Sequence, residues 1–136
     1  GNKQYSLIQI PQYVGGLNHP SIFALYKDVA GTIWVGSYYG GVNYFSPQHD
    51  TFVHYDYGRK INSYYSYIGE IVIDKNEHLW LSTDGGGITC VDKKWNTLQQ
   101  FTAGGKNSIS HNNVKSICYD EKKNCLYIGT YLFVTL

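Results

Sequence analysis

The stretch GTIWVGSYYGGVNYF (residues 31–45) sets a tryptophan between aliphatic residues and follows it with a glycine pair; EHLWLSTDGGGITCV (residues 77–91) does the same. Taken alone, such a segment fits either a glycine-rich ligand loop or one beat of a structural repeat. Alignment on the two tryptophans decides between them. Asp28, Asp74 and Asp120 follow one another at 46-residue intervals, and Trp34 and Trp80 share that spacing. Tyr127 takes the aromatic position in a third copy, displaced by one residue. Gly36, Ser82 and Gly129 each stand just beyond the aromatic, Gly40-Gly41 answers Gly86-Gly87, Phe52 answers Leu98 and Tyr55 answers Phe101. A period of about 40–50 residues marks a propeller or array. The glycines are turn punctuation within a repeat.

Each period divides into four short strands. The first full copy predicts strands near 21–27, 32–37, 41–46 and 51–56, and the second near 67–73, 78–83, 87–92 and 97–102. The third predicts 114–119, 125–130 and a terminal strand in LFVTL, while QYSLIQI (residues 4–10) reads as the last strand of a preceding copy. DVAG and DKNE each open with an aspartate able to cap its own turn, and glycines supply positive φ between the second and third strands. TIWV, HLWL and CLYI are apolar on both alternating faces, so these strands are covered on both sides. Stacked four-stranded blades achieve this, with Trp34 and Trp80 expected to fill the space between them. The chain is therefore expected to be all-β: one partial β-propeller domain over residues 1–136 with about three antiparallel blades, at 21–56, 67–102 and, in part, 114–136.

Composition agrees. Fourteen tyrosines and fifteen glycines in 136 residues favour strands and turns. Charged residues make up 15%, below the roughly 25% of an average soluble domain. With a net charge of +1 there is no electrostatic footprint for nucleic acid, and no apolar run long enough to insert in a membrane. The opening Gly1 and the lack of any Met read as an excised segment of a longer protein.

The pattern from Ile22 to Val42, repeated from Ile68 to Ile88, places an apolar pair before the aspartate, an apolar-Trp-apolar strand after it, and a Gly-Gly beyond. It resembles the two-component regulator propeller repeat. Such repeats build the periplasmic sensor region of hybrid two-component systems in gut Bacteroides-type bacteria. The resemblance implies a non-catalytic periplasmic segment of an inner-membrane sensor that responds to an oligosaccharide and passes the signal to a kinase region, which this chain lacks. The third copy departs from the pattern, with Tyr127 for tryptophan and no Gly-Gly after Tyr131.

Catalytic and metal signatures are missing from the linear sequence. His19, His49, His54, His78 and His111 form no H-E-x-x-H or close metal-ligand spacing and read as surface or turn residues. Cys90, Cys118 and Cys125 lack paired spacing and read as buried free thiols. DKNEHLW begins like a calcium loop at Asp74 and Asn76 but lacks its glycine and distal glutamate. No metal or cofactor is expected. A lyase or hydrolase on the same scaffold, with His111, Asp84 and Glu70 as candidates, and a purely structural oligomerisation segment are the alternatives.

In an up-and-down blade the turns between second and third strands emerge beside the connections between blades. That end gathers Ser37, Tyr38, Tyr39, Thr83, Asp84 and Tyr131 with His19, Tyr64, Tyr65, Tyr67 and His111 to Asn113. Aromatic faces, amides and a carboxylate suit sugar recognition, so Tyr38, Tyr39, Tyr64, Tyr65, Asp84, His111 and Asn112 are the expected ligand residues. The apolar terminal strand is an open edge, and a homodimer in which residues 4–10 of each chain complete the last blade of the other is expected to cover it.

Overall fold

The computed structural model describes residues 16–17, 19–45, 48, 52–55, 67–105, 108–131 and 134–135. The first sheet holds β1 (Ile22–Lys27), β2 (Ile33–Ser37), β3 (Gly41–Phe45) and β4 (Phe52–Tyr55) in sequential antiparallel order. The second repeats the order with β5 (Ile68–Ile73), β6 (Leu79–Thr83), β7 (Ile88–Val91) and β8 (Thr97–Phe101). The third contains β9 (Val114–Asp120), β10 (Cys125–Thr130) and the two-residue β11 (Val134–Thr135). There is no helix among the described residues, and none long and apolar enough to cross a membrane. Each observed strand falls within its expected segment give or take a residue; the expected strand at 4–10 lies outside the described residues.

The aspartates explain why the strands turn where they do. Asp28 Oδ1 accepts the Thr32 amide at 2.9 Å, and Asp74 Oδ1 accepts the amides of Asn76 and His78 at 2.8 and 3.0 Å. The second oxygen has a separate task. Asp28 Oδ2 accepts the Trp34 indole N–H at 3.0 Å, and Asp74 Oδ2 that of Trp80 at 3.1 Å. One carboxylate thus closes the turn and fixes the ring on the next strand. Asp120 keeps the turn bond, to the Lys123 amide at 3.0 Å, whereas Tyr127 presents its hydroxyl to Lys123 Nζ. Asp92 builds a similar turn between β7 and β8, accepting the amides of Lys94 and Asn96.

The core lies between sheets. One cluster joins Ala24 and Val42 of the first sheet to Ile68, Ile71, Leu79, Leu81 and Val91 of the second. Another joins Ile88 of the second sheet to Val114, Ile117 and Ile128 of the third, with Ile109. Trp34 packs on the first cluster and Trp80 on the second, as the repeat reading requires, but both are only half-buried. Gly36 sets the sheet spacing. A Cβ there would stand 2.7 Å from Ile68 Cγ2 and 3.0 Å from the Ala24 Cβ, so the first two sheets meet at van der Waals contact.

Position in the stack decides exposure. Ile71 and Ile117 occupy equivalent places on β5 and β9 and are 3% and 7% exposed, each against the sheet before it. Leu25, the matching residue of β1, is 70% exposed, because no preceding sheet covers it among the described residues.

Candidate functional site

The expected ligand end is an aromatic mouth. A register shift between Ile22 and Ala24 bulges β1 at Phe23, whose ring lies 4.8 Å from Tyr67 and 5.9 Å from Tyr38. Tyr38 also meets Tyr67 edge-on at 5.5 Å and Tyr39 at 4.2 Å, and its hydroxyl donates to that of Tyr39 at 3.4 Å. That hydrogen bond, followed by the charges of Tyr39 and Asp84, raises the Tyr38 phenol above its ordinary pKa. Burial chiefly, with Asp84 adding, raises that of Tyr67. Asp84 thus carries its charge near both tyrosines, and its backbone bridges to Asn113 at the entry to the third sheet.

His19 and His111 do the same job two repeat periods apart. His19 Nδ1 accepts the Ser21 amide at 3.1 Å, and His111 Nδ1 accepts the Asn113 amide at 3.0 Å. Each ring faces a tyrosine, Tyr38 at 6.1 Å and Tyr131 at 6.0 Å. Tyr38, Asp84 and Tyr131 thus hold one repeat position in three successive sheets. Asn112 uses its side-chain oxygen to accept the Ala103 amide at 2.6 Å and so anchors a loop beside the mouth. Tyr64 and Tyr65 lie outside the described residues.

Tyr39 carries the clearest local signal. Its φ is +58°, in the left-handed region, while the second copy places Gly85 there with φ +90°. A 64% exposed tyrosine is thus held where the second copy uses glycine. Such strain clusters at ligand sites.

Two grooves lie elsewhere, and the mouth residues line neither. The larger, about 580 Å³, opens between the first and second sheets at the aspartate-turn end. Trp34, Tyr44, Trp95, Ile73 and Leu79 form its walls, with Trp34 5.1 Å from Tyr44 and 6.1 Å from Trp95. Lys93 pairs with Glu77 at its rim. Trp95 belongs to no expected site; its turn position, with φ +64°, becomes informative only once the sheets are stacked.

The smaller groove, about 390 Å³, opens between the second and third sheets and exposes part of Asp74, His78 and Cys90. Burial opposes the Asp74 charge, yet the hydrogen bonds from His78, Trp80 and Asn76 and the His78 ring together hold its pKa below the ordinary value. Burial first, then Asp74 and Asp92, pushes the Cys90 thiol up to about 11. The expectation of buried free thiols holds for Cys90 alone: Cys118 is exposed and Cys125 half-buried, because alternation along β9 and β10 turns them off the core. Glu70, a candidate in the enzyme alternative, has its carboxyl pKa raised by burial.

Residues 16–39 match the family described as Two component regulator propeller. A search of the curated proteins gave no match. Among solved structures, the chain is similar to PorZ, a surface component of the type-IX secretion system of Porphyromonas gingivalis, at 21% identity and a TM-score of 0.71 over 90% of this chain and 18% of that one. It is similar to the extracellular domain of the hybrid two component system BT4673 from B. thetaiotaomicron, at 24% identity and 0.69, covering 85% of this chain and 16% of that one. For the extracellular domain of the hybrid two component system BT3049 from the same organism the values are 29% and 0.61, covering 81% and 14%. The chain spans less than a fifth of each of these proteins. An all-β stack of two four-stranded antiparallel sheets and a three-stranded one, the Asp–Trp clasp and the matched segment agree: the chain carries the two component regulator propeller repeat, in a copy marked at residues 16–39.

Proposed function

We propose that this chain is a ligand-sensing segment of the periplasmic propeller of a two-component sensor, non-catalytic in itself, and that the ligand is an oligosaccharide. The observation that carries the reading is Tyr39, exposed and held at φ +58° against Tyr38, whose own phenol feels the charge of Asp84. Tyrosine faces stack on the C–H surfaces of a sugar, and a carboxylate accepts from its hydroxyls. The similarity to extracellular domains of two-component systems supports sensing as the task of the parent protein. Within one chain the mouth is a surface patch, so binding by this segment alone is expected to be weak.

Calorimetry against a panel of plant and host glycans, using this chain and its full-length parent, tests the proposal. Heat of binding that disappears on Tyr38→Ala with Tyr39→Ala supports it, as does the absence of product from any bound glycan. Binding indifferent to both changes moves the site elsewhere, and turnover by this chain overturns the non-catalytic reading. We also propose that the open edges pair between two copies, with residues 4–10 supplying the missing strand.

A further inference from the structure

The three copies of the repeat act as controls for one another. Asp28 and Asp74 make the same clasp: an amide on one carboxylate oxygen, the indole N–H on the other. In the first copy Thr32 and Tyr44 occupy the positions that His78 and Cys90 take in the second. The clasp forms without an imidazole or a thiol, so neither is explained by the fold. Yet in the second copy both turn toward the carboxylate. His78 Nδ1 stands 3.2 Å from Asp74 Oδ2, and one donor atom from each of Asp74, His78 and Cys90 lies within 4.8 Å of the other two.

We propose that Asp74, His78 and Cys90 form a binding site for a divalent cation of the zinc type, between the second and third sheets. Around a tetrahedral zinc at its usual bond lengths, oxygen and nitrogen ligands stand about 3.3 Å apart and nitrogen and sulfur about 3.6 Å. The first spacing is met, and the Cys90 sulfur lies within 4.8 Å of both other donors, a distance that metal binding would close. Carboxylate oxygen, imidazole nitrogen and thiolate sulfur together suit zinc over magnesium or calcium, which select oxygen alone. The carboxylate is already oriented by hydrogen bonds from Asn76, His78 and Trp80, the outer support a ligating carboxylate needs. Cys90 is 2% exposed and His78 faces the groove, so the cation would sit at the edge of the core with an open side. That side is lined by Gln99 and by Cys125 of the third sheet, leaving room for a water or a further ligand. The linear sequence conceals this set, because His78 stands in the turn before β6 and Cys90 on the neighbouring β7: Cys90 pairs across the ladder with Trp80, whose ring shares the Asp74 carboxylate.

The test is a cobalt(II) titration of the chain carrying Cys118→Ser, which removes the exposed thiol. Binding that saturates at one cobalt per chain, with thiolate-to-cobalt charge-transfer absorption that zinc bleaches, supports the site. Cys90→Ser should abolish the absorption, and circular dichroism should show the fold retained. His78→Thr installs the first copy's residue, keeps the backbone N–H to Asp74, and should weaken cobalt binding by at least about tenfold. Failure of cobalt to bind overturns the proposal. So does a charge-transfer band that survives Cys90→Ser, which would place the metal on Cys125, or an affinity untouched by His78→Thr.

Discussion

Replacing Tyr39 by glycine and by alanine separates its strain from its contacts. A side chain in the left-handed region costs about 1–2 kcal/mol, and glycine avoids that cost. Glycine also gains about 0.5–1 kcal/mol of freedom in the unfolded chain, which offsets part of the relief. Tyr39→Gly should therefore be more stable than Tyr39→Ala by about 0.5–1 kcal/mol. Both lose the edge contact of Tyr38 with Tyr39, 4.2 Å between centroids, worth about 0.5–1.5 kcal/mol. Tyr39→Ala should thus fall about 1 kcal/mol below the parent chain, and Tyr39→Gly should lie close to it. Gly85→Ala is the mirror experiment. Its φ is +90° and no atom lies within 4 Å of the added Cβ, so the cost, about 0.5–1 kcal/mol, comes from the backbone alone. Urea unfolding followed by tryptophan fluorescence reads all three variants. Equal midpoints for Tyr39→Gly and Tyr39→Ala, or a Gly85→Ala change without cost, would refute the claim that the mouth tyrosine is held under strain.

Trp34→Phe keeps an aromatic ring, smaller than the indole, but removes the N–H donated to Asp28; at least about 1.5 kcal/mol should be lost, near the low end for a bond to a charged group because both partners are partly exposed. A urea midpoint within error of the parent would detach the indole from the turn. For Glu70, burial raises the folded-state pKa above its ordinary 4.5, so stability is fully present below that value and declines as pH rises through the folded one. Melting curves of Glu70→Gln should lack that decline, the parent being weakened relative to the variant toward neutral pH, and parallel profiles would contradict the assignment. Light scattering over a concentration series should find a dimer that deletion of residues 1–10 abolishes; a monomer at every concentration, or a dimer that survives the deletion, would remove strand exchange between copies.

What the sequence reveals and what it hides follow from one distinction. The 46-residue period survives projection onto a line, because Asp28, Trp34 and Gly41 recur in Asp74, Trp80 and Gly87. Strand positions follow from it, and so does the mouth, since turns of one type must emerge at one end. Contacts between sheets do not survive projection. Trp95 meets Trp34 from a turn in the next copy, and His78 reaches Cys90 only through the pairing of β6 with β7. Double duty is hidden as well: the aspartate's hold on the indole and the imidazole's cap on the next segment are invisible in residue type. Asn112, expected at the ligand, also holds the Ala103 amide with its side-chain oxygen, a partner that no spacing rule supplies.

The contrast between Leu25 and its counterparts Ile71 and Ile117 has a consequence for how the molecule comes apart. Because apolar burial belongs to the seam between two sheets, the indivisible piece is a seam with a half of each neighbour. A cut through residues 56–66 would strip Ile68 and Ile71 of their cover and leave two fragments that each lack what the other holds. Opening should accordingly begin at the faces with a single neighbour and travel inward, so amides of β6 and β7 exchange with solvent last and those of β1 and β9 sooner. Any chain that adds a sheet against Leu25 should slow exchange in β1 first, and the amount of slowing measures the free energy of the new seam.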